Sequence, residues 1–180
     1  MKTKIFERSF DEIKDIARKT GKPVLAAVYG YREIDEYPDL TWLKTVQAED
    51  GSIISSCRYS NEDIKEYGLE QVQRWIDEDH ERLESYGDTW WMEGVRAAAE
   101  IYILAGDSFI IQLIQTPGLW GIESDSEEAY FKEVFSGEVT VLRGMLEKLN
   151  VAGLEILEKP LKYLGDVIEP AETPATCYTD

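Results

Sequence analysis

Apolar and polar positions near the start of the chain predict a helix followed by a buried strand. Residues 10–20 place apolar side chains at helical spacing, and Ser9 with Glu12 fits a capping box that begins a helix. Gly21 stands where a helix end favours glycine. The apolar run 24–31 is bounded by glycine and is short for a helix, so it predicts a buried strand.

Two pairs of apolar segments farther along the chain predict β-hairpins. The first pair is separated by Glu49-Asp50-Gly51, and the second, longer pair is joined by Ala105-Gly106-Asp107-Ser108. The alanines of 95–100 favour helix, but the aromatic and β-branched residues that follow them favour a strand. The four strands of these two hairpins are predicted over 40–48, 52–59, 90–104 and 109–116.

Two further helices complete the predicted fold. Ser60 with Asp63 begins one over 61–86, in which Gly68 can mark a break, and Ser124 or Asp125 caps another that ends near Asn150. The pattern therefore predicts an α+β domain: an antiparallel sheet built from two hairpins, with two or three helices packed on one face. We expect one domain over 1–166 and a disordered tail over 167–180.

The charge balance narrows the range of partners. The 180 residues include 36 acidic and 19 basic side chains, which gives a formal net charge of −17. Such a charge opposes direct binding of nucleic acid and favours a partner with a basic surface. Cys57 and Cys177 do not suggest a disulfide framework, and no signal peptide or membrane-spanning run is evident. We expect a cytoplasmic, soluble protein that does not associate with membranes.

The predicted helix over 61–86 carries an acidic stripe that is a candidate partner-binding surface. Its acids recur at spacings of three, four or seven residues, which places them on one side of a helix. They carry one charge per roughly 5 Å of helix axis, against one per about 1.7 Å in duplex DNA. A solvated helix face is the alternative interpretation. The stripe comprises Asp63, Glu66, Glu70, Asp77, Glu81 and Glu84.

Few residues point to catalysis. The one histidine, His80, lies inside the acidic helix, so serine triads and histidine-based metal sites lack partners. Cys57 has the adjacent Arg58 but no histidine base, and a small apolar thiol is the favoured interpretation. The acids of 123–128 could suit a hard metal ion, but capping and the helix dipole explain them without one. We predict no catalytic residue, metal or cofactor, while an enzyme stays open as an alternative.

That alternative has a defined candidate site. It is a small enzyme or ligand-binding domain with a carboxylate-lined site at the 118–128 turn, beside the long hairpin. Trp120, between two glycines, also suits a structural role, folded back over the hairpin. The candidate ligand-site residues are Arg96, Glu100, Trp120, Glu123 and Asp125.

The segment PGLWGIESDS at 117–126 is the most specific motif of the chain. With WWMEGVRA at 90–97 and YFKEVF at 130–135, it resembles an uncharacterised family of small acidic proteins carried mainly by bacteriophages, plasmids and integrated elements. CRYS at 57–60 and WIDED at 75–79 resemble weaker parts of the same pattern. The resemblance covers about residues 57–149. It implies a genetic context and no reaction.

This context leads to a functional hypothesis. Mobile elements often encode small acidic proteins that block host defence nucleases by presenting carboxylates where the target expects phosphates. The chain is therefore expected to be a non-enzymatic interaction protein that binds a basic, nucleic-acid-binding surface on a host protein. A structural component of a phage particle is a third possibility.

Overall fold

The computed structural model describes residues 1–163 and 166–168. Its helices are α1 (Phe10–Thr20), α2 (Asn61–Tyr67), α3 (Leu69–Glu84) and α4 (Glu128–Lys148), with short 3-10 helices at Thr41–Leu43 and Leu154–Glu158. Its strands are β1 (Lys2–Glu7), β2 (Val24–Ile34), β3 (Thr45–Gln47), β4 (Ile53–Ser56), β5 (Met92–Ala105), β6 (Ser108–Gln115), β7 (Leu119–Glu123), β8 (Leu161–Tyr163) and β9 (Asp166–Ile168). The predicted α+β class with an antiparallel sheet is confirmed.

The described residues fall into two compact units. Unit 1 comprises Met1–Ile34, Glu93–Ile122 and the described residues from Ser126 onward. Unit 2 comprises Asp35–Met92 and Glu123–Asp125. Along the chain, most of unit 2 is therefore inserted between β2 and β5.

Unit 1 is built on a five-stranded sheet. Its strand order is β1-β2-β5-β6, and β7 pairs with β5 as well. The β5–β6 hairpin has an unbroken register from Ala98 opposite Gln115 to Ala105 opposite Ser108, whereas the β1–β2 and β2–β5 pairs each contain a register shift. The longer predicted hairpin is thus confirmed, and Gly106 takes the positive φ that its two-residue turn requires.

The two long helices of unit 1 contact different faces of this sheet. Phe131, Phe135, Leu142 and Leu146 of α4 join one core cluster with alternate β5 residues such as Ala97. Buried residues of α1 pack instead with Val24, Ala26 and Tyr102, and Tyr102 lies on the other side of β5. Helices therefore lie on both faces of this sheet, a difference from the single face that the sequence predicts.

Unit 2 contains the β3–β4 hairpin and the helices α2 and α3. The hairpin is antiparallel, as predicted, although its strands are shorter than expected. Leu43, Trp90 and Met92 form a buried cluster in this unit. Gly68 has a φ of 87° and separates α2 from α3, so the predicted helix over 61–86 is two helices. The expected acidic stripe is accordingly divided between them.

Several boundaries differ from the prediction. Strands β1 and β7 were not expected, and α4 begins at Glu128 with no side-chain cap, so the predicted caps at Ser124 and Asp125 are wrong. The capping boxes of α1 and α2 are both present. The predicted tail over 167–180 begins within β9, and its residues 169–180 lie outside the described residues. One domain over 1–166 stays a prediction. None of the helices in the described part has the length and apolar character needed to span a membrane.

Candidate partner-binding surface

The negative charge of the chain is concentrated in unit 2. This unit has 61 residues, of which 17 are acidic and five are basic. It therefore carries a formal net charge of −12, out of −17 for the whole chain. A charge of this density produces a strongly negative field around the unit, which attracts basic partners.

The acids of the predicted stripe differ in what they contact. Asp63 caps α2: its carboxylate accepts hydrogen bonds from the Ser60 hydroxyl at 2.6 Å and the Ser60 backbone N–H at 2.8 Å. The hydroxyl and then the N–H lower the pKa of Asp63. Glu66 is exposed and accepts a hydrogen bond from Tyr67, which raises the pKa of that phenol. Asp63 thus serves the fold.

Four acids of the predicted stripe lie on α3 and have no cationic partner among the described residues. Glu70, Asp77, Glu81 and Glu84 are all exposed, and none forms an ion pair with any residue that the structure describes. Asp77 accepts a hydrogen bond from the neutral Gln73 amide at 2.9 Å. We call these four residues the α3 acids. Their carboxylates are available to an external cation.

The spacing of the α3 acids sets how closely they can imitate a phosphate backbone. From Glu70 to Glu84 they extend over about 21 Å of helix axis, with one charge per roughly 7 Å. This spacing is sparser than the 5 Å expected for an unbroken stripe. Arg74 lies on the same helix and donates to Gln71 at 2.9 Å. A depression of about 610 Å³ is lined by Leu69, Glu70, Gln73, Arg74 and Asp77.

A buried acid in unit 2 anchors a cluster that the sequence did not predict. Asp79 is 7% exposed and accepts hydrogen bonds from Arg58 at 2.6 Å and from the Tyr59 hydroxyl at 3.0 Å. Burial, followed by the bond to Asp79, raises the pKa of Tyr59 to about 12. The Tyr59 ring stacks on Trp75 with centroids 6.2 Å apart. The segments CRYS and WIDED therefore contact each other here, and only the resemblance described above had grouped them in advance.

Glu123 and Asp125, both proposed for the ligand site, are occupied within unit 2. The Arg82 guanidinium binds both carboxylates, with 2.8 Å to Asp125, and lies 4.1 Å from the centroid of the Trp90 ring. Partial burial lowers the pKa of Arg82, but the two carboxylates outweigh it and raise the pKa above its ordinary value. These acids therefore neither cap α4 nor stand free for a ligand. Among the described residues, no group of three potential metal ligands meets.

The other candidate ligand-site residues lie in unit 1 and are also engaged. Arg96 pairs with Glu33 at 2.8 Å and donates to Gln115 at 3.2 Å. Glu100 accepts a hydrogen bond from the Tyr29 hydroxyl at 2.9 Å. Burial of the phenol, followed by this hydrogen bond, raises the pKa of Tyr29 to about 12. These contacts engage most of the polar groups on this sheet face, although the buried Nε of Arg96 has no hydrogen-bond partner among the described residues.

Trp120 lies against the backbone of β5 in unit 1. A Cβ built on Gly94 would come within 2.2 Å of the Trp120 ring, so the ring occupies the space that any other residue would need. The indole N–H donates to the Pro117 carbonyl at 2.9 Å. The GLWG segment therefore positions its tryptophan over the long hairpin, the structural alternative considered for this residue.

Cys57 and His80, the two other residues considered for catalysis, are both exposed. Cys57 is a free thiol, and its neighbour Arg58 is paired with Asp79. His80 lies on the exposed side of α3. Within the described part of the chain, neither belongs to a group of three side chains that could hold a metal ion.

Three comparisons with known proteins found nothing: no family model, no curated protein and no solved structure matches this chain.

Proposed function

We propose that the chain is a non-enzymatic interaction protein whose acidic unit 2 binds a basic surface on a partner protein. The observation that carries the proposal is the contrast between two sets of acids. The α3 acids are exposed and lack cationic partners, while Glu123, Asp125 and Asp79 are paired with arginines of their own unit. A fold that neutralises some of its acids but leaves the α3 acids and the exposed Glu78 without an ion pair to any described residue retains these carboxylates for an external cation.

The charge of unit 2 supports electrostatic attraction as the means of recognition. A net charge of −12 over 61 residues accelerates association with a basic surface and makes binding sensitive to salt. Nucleic acid itself would be repelled by the same field. The partner is therefore a protein, and its basic surface is of the kind that binds phosphates.

The class of partner that we propose is suggested by the resemblance. If the chain comes from a mobile element, the basic surface that it would most usefully occupy belongs to a host defence protein that binds nucleic acid. The spacing of roughly 7 Å along α3 makes the helix a sparse imitation of duplex DNA. Competition with DNA for the same surface is consequently the specific test of this part of the proposal.

The alternative, a ligand site at the 118–128 turn, has less support. Its carboxylates at Glu123 and Asp125 are held by Arg82, and its Arg96 is held by Glu33 and Gln115. A ligand would have to displace these internal partners before it could use the same groups.

The proposal can be tested by capture of partners from a host lysate on immobilised protein. The test variant carries Glu70→Lys, Asp77→Lys and Glu81→Lys. Its matched control reverses three exposed acids of unit 1, Asp11→Lys, Asp107→Lys and Glu133→Lys, and so has the same net charge. We expect the wild type and the control to retain a basic protein, which added duplex DNA then releases. The test variant should retain much less of this protein. Equal retention by both variants would refute the role of the α3 acids.

A further inference from the structure

Strand β6 forms one end of the sheet in unit 1. In the described part of the chain it pairs with β5 and with no other strand. Its other edge therefore presents unpaired backbone N–H and C=O groups, which can hydrogen-bond to an additional strand. Proteins usually protect such edges with charged residues, proline or a β-bulge.

The edge of β6 has none of these protections. From Ser108 to Gln115 it reads SFIIQLIQ, without a charged residue or proline, in a chain whose net charge is −17. Its register with β5 contains no bulge. Strand β1, at the other end of the same strand order, carries Lys2, Lys4 and Glu7 and a register shift between Lys4 and Phe6. Strand β1 therefore has protection against pairing with another strand, and β6 does not.

The strand also exposes large apolar side chains on both faces. Ile110 and Ile111 are each 57% exposed, and Leu113 is 45% exposed. Because neighbouring residues of a strand point to opposite faces, Ile110 lies on one face and Ile111 with Leu113 on the other. An added strand would cover apolar surface on both sides as it pairs with the edge.

We propose that β6 is the surface through which two copies of this chain pair, edge to edge and antiparallel, into a weak dimer. The β6 strand of a second copy matches this edge, because it is also uncharged and also exposes large apolar side chains on both faces. A basic partner, as proposed for unit 2, would find no carboxylate on β6 to bind.

The sequence of β6 is self-complementary in an antiparallel arrangement. If the twofold axis passes through Ile111, the two Ile111 side chains oppose each other and Phe109 opposes the partner's Leu113. Ile110 then opposes the partner's Gln112. Each pair lies on one face, as a continuous sheet requires. The pairs of Ile111 with Ile111 and of Phe109 with Leu113 are apolar, and apolar cross-strand pairs stabilise antiparallel sheets.

The size of the contact limits its strength. Eight residues make a strip about 27 Å long and about 10 Å thick, which is smaller than the roughly 800 Å² per partner of a stable interface. Two copies of net charge −17 also repel each other, and added salt screens this repulsion. We therefore expect dissociation in the micromolar range and a dimer that becomes tighter as salt increases.

Sedimentation equilibrium of the full chain tests the proposal, with loading concentrations from roughly 5 to 500 µM. At about 0.5 M salt the wild-type mass should rise from 20.6 kDa toward twice that value. Ile111→Lys should weaken dimerisation at least 10-fold, and Leu113→Lys should do the same independently. The matched control is Ile54→Lys, since Ile54 is 67% exposed on β4 of unit 2. It should leave dimerisation unchanged.

Amide hydrogen exchange identifies the edge itself. In the dimer, the β6 amides that face away from β5 should exchange more slowly than in dilute, monomeric protein. A mass of 20.6 kDa at every concentration and salt would overturn the proposal. So would equal weakening by Ile54→Lys and Ile111→Lys, or β6 amides that are already protected in the monomer, because another segment of the same chain would then cover the edge.

This inference stands apart from the proposed function. Binding of a basic partner weakens with salt, whereas the dimer strengthens. The variant Ile111→Lys should retain the basic partner, and the variant that reverses the α3 acids should still dimerise.

Discussion

The substitution Gly94→Ala perturbs the GLWG segment at one defined contact. The added Cβ would lie 2.2 Å from Cε3 of Trp120 and 2.5 Å from Cδ2, both atoms of a rigid ring. The ring would have to move by about 1.5 Å to restore an ordinary carbon–carbon contact. Movement of the ring would also disturb the hydrogen bond from its N–H to Pro117.

The expected magnitude follows from two opposing effects. Forcing an extra methyl group into a packed contact costs about 1–3 kcal/mol. Replacing glycine within a strand recovers about 0.5–1 kcal/mol of backbone entropy. Gly94→Ala should therefore lower the free energy of unfolding by about 1–2 kcal/mol in net.

A double-mutant cycle separates the clash from other effects of the substitution. In a Trp120→Ala background the ring is gone, so Gly94→Ala should be neutral or stabilising by up to about 1 kcal/mol. Urea unfolding followed by far-UV circular dichroism gives the four free energies. If Gly94→Ala destabilises both backgrounds equally, Trp120 does not pack on Gly94 and the structural role of the GLWG segment is refuted.

Two further predictions concern unit 2. Tyr59 should remain protonated until about pH 12. Because this pKa lies above the ordinary tyrosine pKa of about 10, the protonated phenol stabilises the fold below pH 10. This stabilisation is lost as the pH rises from about 10 through 12. Absorbance at 295 nm should then show one fewer late-titrating tyrosine in Tyr59→Phe, and an unchanged count would contradict the contact with Asp79. Arg82→Met should lower the free energy of unfolding by about 1 kcal/mol, since its ion pairs with Glu123 and Asp125 are partly exposed. Urea unfolding measures this loss, and an unchanged midpoint would show that the pairs contribute nothing.

Local signals in the sequence predicted much of the fold. The capping boxes at Ser9 and Ser60 and the turn at Gly106-Asp107 depend on residues a few positions apart, and all three are present. Strand β1 was missed because its lysines and glutamate resemble a solvated segment. Its pairing with β2, more than 20 residues later, is what makes it a strand.

The start of α4 shows why a local pattern can mislead. Ser124 and Asp125 both have the spacing of a capping box, but they have partners that are distant in sequence. The Ser124 hydroxyl accepts a hydrogen bond from the backbone N–H of Trp91, and Asp125 binds Arg82, 43 residues away. The spacing alone could not reveal these competing partners.

In the candidate partner-binding surface, the sequence predicted the exposed acids but not the contacts between segments. The exposure of the α3 acids follows from helical periodicity, so Glu70, Asp77, Glu81 and Glu84 lie in solvent as expected. The pairing of Asp79 with Arg58 joins two segments that are 21 residues apart. No periodicity of one helix predicts such a contact.

Salt-gradient elution of a captured basic partner tests the central claim most directly. The wild type, the variant with Glu70, Asp77 and Glu81 reversed, and the charge-matched unit 1 control are immobilised side by side, and the salt concentration that releases the partner is measured for each. We predict that the wild type and the control release the partner at the same high salt concentration and that the α3 variant releases it at the lowest. Release of the partner from both variants at one salt concentration would contradict the claim, because net charge and not the α3 surface would then govern binding.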